Sequence, residues 1–158
     1  MSVIPVDFRA LHHPESGHVH GPHESPSTLS AMRLGASLYV PATRPDLAAI
    51  ASGRKLPELR PVIFCTEDSV HERDLEAALD CLAALLPALE LGPLLRFIRP
   101  RNPAVLRRLL RMDGIERVQG FALPKLDPHT LGDWLRVWDD SYGHYVLPIL
   151  ETAEAFDR

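Results

Sequence analysis

From Leu34 onward, short apolar or β-branched runs alternate with longer stretches in which leucines recur every three or four positions. The runs are Leu38-Tyr39-Val40, Val62-Ile63-Phe64, Leu94 to Ile98, Val118 to Leu123 and Tyr145 to Leu150. With Leu38, Val62, Arg96, Phe121 and Leu147 as markers, the spacings are 24, 34, 25 and 26 residues, the period of a strand–helix unit. Between the runs, Leu75, Leu79, Leu82 and Leu86 share one face of a helix, and so do Leu106, Leu109 and Leu110. Cys81, inside the first of these patterns, reads as a core residue. Asn102-Pro103 and Asp127-Pro128 each place a capping side chain before a proline at the first helical position, and Pro45 after Arg44 predicts a third helix start.

Runs that are apolar on both faces, each followed by a helix, predict an α/β protein whose parallel sheet is covered on both sides. Two architectures satisfy this, an open doubly wound sheet and a (β/α)₈ barrel. The first expects a glycine-rich phosphate turn after its first strand, and Val40-Pro41-Ala42-Thr43-Arg44-Pro45 contains no glycine. The second places function at the carboxyl ends of the strands. In chain order these ends carry Arg44, then Glu67 and Asp68, then Arg99 and Arg101, then Lys125, then Glu151. Plainer readings exist for each taken singly: Lys125 and Arg101 as solvated loop cations, and Glu67-Asp68 as an acidic pair at the start of a helix.

Residues 1–30 differ from the rest. His12, His13, His18, His20 and His23, five of the eight histidines, sit there among prolines and glycines with neither periodicity. Clustered imidazoles bind Zn²⁺ or Ni²⁺, but this spacing matches no closed structural site, so the segment reads as a flexible, metal-sticky leader. The chain thus divides into a leader, 1–30, and a partial (β/α) barrel domain, 31–158.

A length of 158 residues is one domain, and 46% hydrophobic with 24% charged residues excludes wholesale disorder. A net charge of −4 gives no electrostatic footprint for nucleic acid. No apolar stretch approaches the ~20 residues of a membrane span. Two cysteines, Cys65 and Cys81, and the absence of a secretion signal at the first residues point to a reduced, cytoplasmic protein.

The strand-end words V-P-A-T-R-P-D at 40–46, T-E-D-S-V at 66–70, I-R-P-R-N at 98–102, L-P-K at 123–125 and L-P-I-L-E-T at 147–152 occur in one order at one spacing. In that order they resemble the HpcH/HpaI aldolase and citrate lyase β-subunit family over about Leu34 to Arg158. The wording is most similar to the citrate-lyase-like proteins found with stress and tellurium-resistance operons. The resemblance implies parallel βα repeats of a TIM (β/α)₈ barrel and a Mg²⁺-dependent carbon–carbon lyase acting on a small molecule, a keto acid or an acyl thioester. Cleavage of such a substrate leaves an enolate, which a hard divalent cation stabilises. By similarity Glu151 is a metal ligand, Arg99 donates to the developing oxyanion, Arg44 binds a substrate carboxylate, Glu67 and Asp68 orient the arginines or hold metal-bound water, and Lys125 lines the mouth. A Schiff base on Lys125 is an alternative.

Departures from the family pattern are Ala42 for a glycine, Cys65 for an aspartate and Pro100 for an aliphatic residue. Cys65 is accordingly expected to be a small core residue rather than a nucleophile. The family's second metal carboxylate lies one βα unit beyond Glu151. At about 250 residues per full barrel, five units are expected to be a barrel cut short after strand five. Such a sheet is expected to self-associate, as a homo-oligomer or with the missing C-terminal half. A non-catalytic ligand-binding or assembly module with a degenerate barrel mouth is the other expectation.

Overall fold

The structure, a computed structural model, describes residues 34–138 and 143–156. The histidine-rich leader at 1–30 lies outside the described residues. Each apolar run forms a short strand: β1 (Leu38–Pro41), β2 (Pro61–Cys65), β3 (Leu95–Arg99), β4 (Gly120–Leu123) and β5 (Tyr145–Pro148). Helices α1 (Leu47–Ala51), α2 (Leu75–Leu85), α3 (Pro103–Leu109) and α4 (Leu131–Leu135) stand between successive strands. All four strand pairings are parallel, and the order is β1-β2-β3-β4-β5. A doubly wound sheet reverses its strand order at a switch point. Here each strand pairs with the next in sequence and the order never reverses, which is the winding of a (β/α) barrel.

Side chains alternate across this sheet. Ile63, Phe97 and Ala122 gather on one face with Leu34, and Leu95, Tyr145, Leu147 and Ile149 pack against them. Val40, Val62, Phe64, Ile98, Phe121 and Val146 point to the other face. They join Ile50, Leu79, Leu82, Leu106, Leu109 and Trp134 of the helices in the main core. Each Leu, Ile or Phe so buried contributes about 1.5–3 kcal/mol. Strands β2 and β4 are buried at every residue and β3 at all but one, whereas β1 and β5, at the borders of the described sheet, are only partly covered. Glycine is required at the head of β4, because a Cβ on Gly120 would stand 1.9 Å from the Tyr145 carbonyl oxygen across the β4–β5 ladder.

Helix α3 starts as its sequence predicts. Asn102 Oδ1 accepts from the Val105 N–H at 2.9 Å, and Pro103 occupies the first turn. The other two predicted starts are corrected. Helix α1 begins at Leu47, and Asp46 before it makes no side-chain cap because its carboxylate is engaged by Arg44 and Lys55. Asp127 Oδ1 accepts from the N–H groups of His129 and Thr130, both at 2.8 Å, closing a turn, so α4 starts only at Leu131. Cys81 is also corrected: it is exposed. The buried face of α2 runs through Ala78, Leu79 and Leu82, and Cys81 points roughly a third of a turn away from it. Cys65, at the end of β2, is buried as expected. Among the described residues no helix is long and apolar enough to cross a membrane.

Candidate functional site

The parallel sheet brings the carboxyl ends of β2, β3, β4 and β5 side by side, and with them the residues that follow. Beyond β2, Thr66 donates from both its N–H and its hydroxyl to the Arg99 carbonyl oxygen, at 3.0 and 2.9 Å, tying the ends of β2 and β3 together. Glu67 comes next and is buried, its N–H directed at Cys65 Sγ at 3.4 Å.

Arg99 is the last residue of β3. Its Nη2 lies 2.6 Å from Glu67 Oε2, 3.1 Å from Asp68 Oδ2 and 3.0 Å from Glu151 Oε1. Lys125 Nζ lies 2.7 Å from Glu67 Oε1 and 3.8 Å from Asp68 Oδ1. The Lys125 N–H donates to Glu151 Oε1 at 3.1 Å. Three carboxylates and two cations therefore meet at one point. The Arg99 and Glu67 side chains are almost enclosed, while Asp68, Lys125 and Glu151 form a wetter outer ring. Only Nη2 of the Arg99 guanidinium is engaged among the described residues; Nε is buried with no acceptor. The Tyr39 ring of β1 faces this guanidinium, 5.8 Å from its Cζ.

Electrostatics follow the geometry. The hydrogen bond to Glu67, reinforced by its charge, pushes the Lys125 ammonium above its ordinary value. Burial pushes the Tyr39 phenol up against the opposing influence of Arg99. Lys125 also has a left-handed backbone, φ 50°, a conformation that costs a non-glycine residue about 1–3 kcal/mol and concentrates at functional sites.

Of the seven charged residues read at the strand ends, the fold brings Glu67, Asp68, Arg99, Lys125 and Glu151 together. Arg44 pairs with Asp46 instead, and no contact among the described residues joins it to the cluster. Arg101 is not a solvated loop cation: its Nη2 donates to the carbonyls of Glu67, at 3.1 Å, and of Val70, bracing the loop that carries Glu67 and Asp68. Nor do Glu67 and Asp68 begin a helix, since the next helical turn starts at Glu72. Tyr39, Thr66 and the brace by Arg101 were not legible as site features. Thr66 directly before Glu67-Asp68 was the available signal, as a hydroxyl at a strand end able to bond the neighbouring strand.

Among the described residues no group of three or more His, Cys, Asp or Glu is arranged as a ready metal cage. The reason is visible: the three carboxylates already enclose a cation, the guanidinium nitrogen of Arg99. The ionic cluster thus lies at the carboxyl ends of a parallel sheet wound in sequence order, the end at which TIM barrels carry their active sites. Residues 28–158 match the family profile of C–C bond lyases of the TIM-barrel fold. The chain belongs to that family of carbon–carbon lyases. No curated protein matches it significantly.

Proposed function

We propose that the strand-end cluster supports Mg²⁺-assisted cleavage of a carbon–carbon bond beside a carbonyl, in the manner of the HpcH/HpaI aldolase and citrate lyase β-subunit proteins. The substrate would be a citryl- or malyl-CoA-type thioester or a 2-keto acid aldol. The observation that carries this reading is Arg99, enclosed by three acids through one nitrogen while its buried Nε remains without an acceptor among the described residues.

Such a cleavage leaves negative charge on a substrate oxygen, and a fixed guanidinium with spare donors suits that charge. Glu67 positions both cations, since one oxygen takes Arg99 and the other takes Lys125. Lys125 serves as an ammonium: its raised value keeps the proton on at neutral pH, which removes the lone pair an imine would need.

The donor set fits Mg²⁺, which commonly takes one or two carboxylates and completes its shell with water and substrate oxygens. Glu151, whose Oε2 has no donor among the described residues, and the largely exposed Asp68 would hold it. When bound, the ion neutralises charge on a keto oxygen. Arg44 would take a substrate carboxylate only by releasing Asp46.

Titration of Mg²⁺ and oxalate, a mimic of the pyruvate enolate, into the full chain tests the reading. Expected is oxalate binding that requires Mg²⁺ and weakens at least tenfold in Glu151→Gln. A second reading, a non-catalytic ligand-binding or assembly module, is favoured by the absence of a preformed metal cage among the described residues. Oxalate binding indifferent to both Mg²⁺ and Glu151→Gln would establish that second reading and overturn the lyase.

A further inference from the structure

At the opposite end of the sheet, the loops that lead into β2 and β3 enclose a cavity of about 550 Å³, within the range of small-molecule sites. It touches none of the strand-end cluster. Arg96, the second residue of β3, lies at its wall and is only 3% exposed. Its Nε donates to the carbonyl of Ala51, the last residue of α1, at 2.8 Å, which accounts for one side of the guanidinium. Its Nη1 is buried and has no partner among the described residues.

A buried guanidinium N–H without an acceptor is costly, and most buried polar groups avoid that state. Two further arginines line the same cavity, Arg54 and Arg60, and neither enters an ion pair among the described residues. Glu90 is the one acid on the lining, so the cavity carries a surplus of two positive charges. Its other wall is apolar: Leu91 is 78% exposed there, and Leu56 holds a left-handed backbone at φ 58°. Strained backbone of this kind clusters at ligand clamps.

We infer that this cavity is a binding site for a small organic phosphate, its dianionic head held by Arg96, Arg60 and Arg54 and its apolar body against Leu56 and Leu91. A phosphate monoester carries close to two negative charges at neutral pH, matching the surplus, and the planar arginine fork suits its oxygens. The inference does not rest on the lyase reading, because no residue is shared between the two sites.

Phenyl phosphate titrated calorimetrically into the full chain at low salt is the test, with succinate as the dicarboxylate comparison. Expected is saturable binding of one equivalent, weakened about tenfold in Arg60→Gln and in Arg54→Gln, both exposed positions, and abolished in Arg96→Gln. Should Arg96→Gln fail to fold, the two exposed variants decide alone. Absence of binding, or binding unchanged in both exposed variants, overturns the site. Succinate binding tighter than phenyl phosphate overturns the phosphate assignment. Mg²⁺-dependent oxalate binding is expected to persist in Arg60→Gln, so failure here and failure of the lyase reading are told apart.

Discussion

Arg99 and Glu67 form the most enclosed ion pair of the strand-end cluster, Nη2 to Oε2 at 2.6 Å with side chains 10% and 5% exposed. They lie 32 positions apart in sequence, and the pairing of β2 with β3, Cys65 opposite Arg99, sets them side by side. Removing one partner of such a pair strands a charge away from water. Glu67→Ala is therefore expected to cost about 3 kcal/mol, the low end for a buried pair, because Asp68 and Glu151 remain within reach of Arg99. Urea denaturation at unchanged slope reads it; a loss below about 1 kcal/mol would show that the outer acids suffice.

Lys125 predicts an alkaline effect with a definite sign. Its folded-state value is raised, so its contribution is fully present below the ordinary lysine value of 10.5 and disappears as pH climbs through the higher folded value. Lys125→Met should therefore be less stable than the parent at neutral pH, with the gap closing above pH 10.5. A gap that widens with pH would contradict the raised value. Borohydride treatment with pyruvate should leave Lys125 unmodified in mass spectra.

Gly120→Ala tests the packing of β4 against β5. The added methyl would meet the Tyr145 carbonyl at 1.9 Å, with backbone on both sides and no flexible side chain to yield. Overpacking of this kind costs about 1–3 kcal/mol and more when backbone must move. A thermal melt should fall by many degrees, and because Glu151 follows β5, Mg²⁺-dependent oxalate binding should fall with it. An unchanged melt would show that this close approach relaxes freely.

Thiol labelling distinguishes the two cysteines. Cys81 is exposed and Cys65 is buried, so one equivalent of reagent should react at once and the second only on unfolding. Immediate reaction of both would mean that the end of β2 opens in the native state.

The strands were legible because a parallel strand covered on both faces has no polar alternation to hide it; Val62-Ile63-Phe64 reads as one run and is buried throughout. Cys81 was misplaced for a related reason. Helix α2 is rich in Leu and Ala on several sides, so apolar periodicity identifies a helix there without marking which side meets the sheet. Pro45 and Pro128 marked turns before helices rather than first helical residues, because Asp46 and Asp127 spend their oxygens on Arg44 and on the turn at His129–Thr130. The five charged residues that meet were visible as strand-end residues. Their pairing was not, because it spans 58 positions between Lys125 and Glu67 and 52 between Arg99 and Glu151, distances that only the strand register settles.

The left-handed backbone of Lys125 imposes a trade at one codon. The turn at φ 50° directs the main-chain N–H to Glu151 while the ammonium reaches Glu67, so a single residue answers acids that arrive from two different strands. Glycine would suit the backbone and forfeit the ammonium, whereas an uncharged side chain such as methionine keeps the strain and forfeits the ion pair. Lys125→Gly should accordingly relieve about 1 kcal/mol of strain while leaving Glu67 a single counter-ion. The relief and the loss oppose each other at one position, so the strained turn persists because the lysine it carries serves the cluster, and a screen that demands ligand binding would keep the lysine.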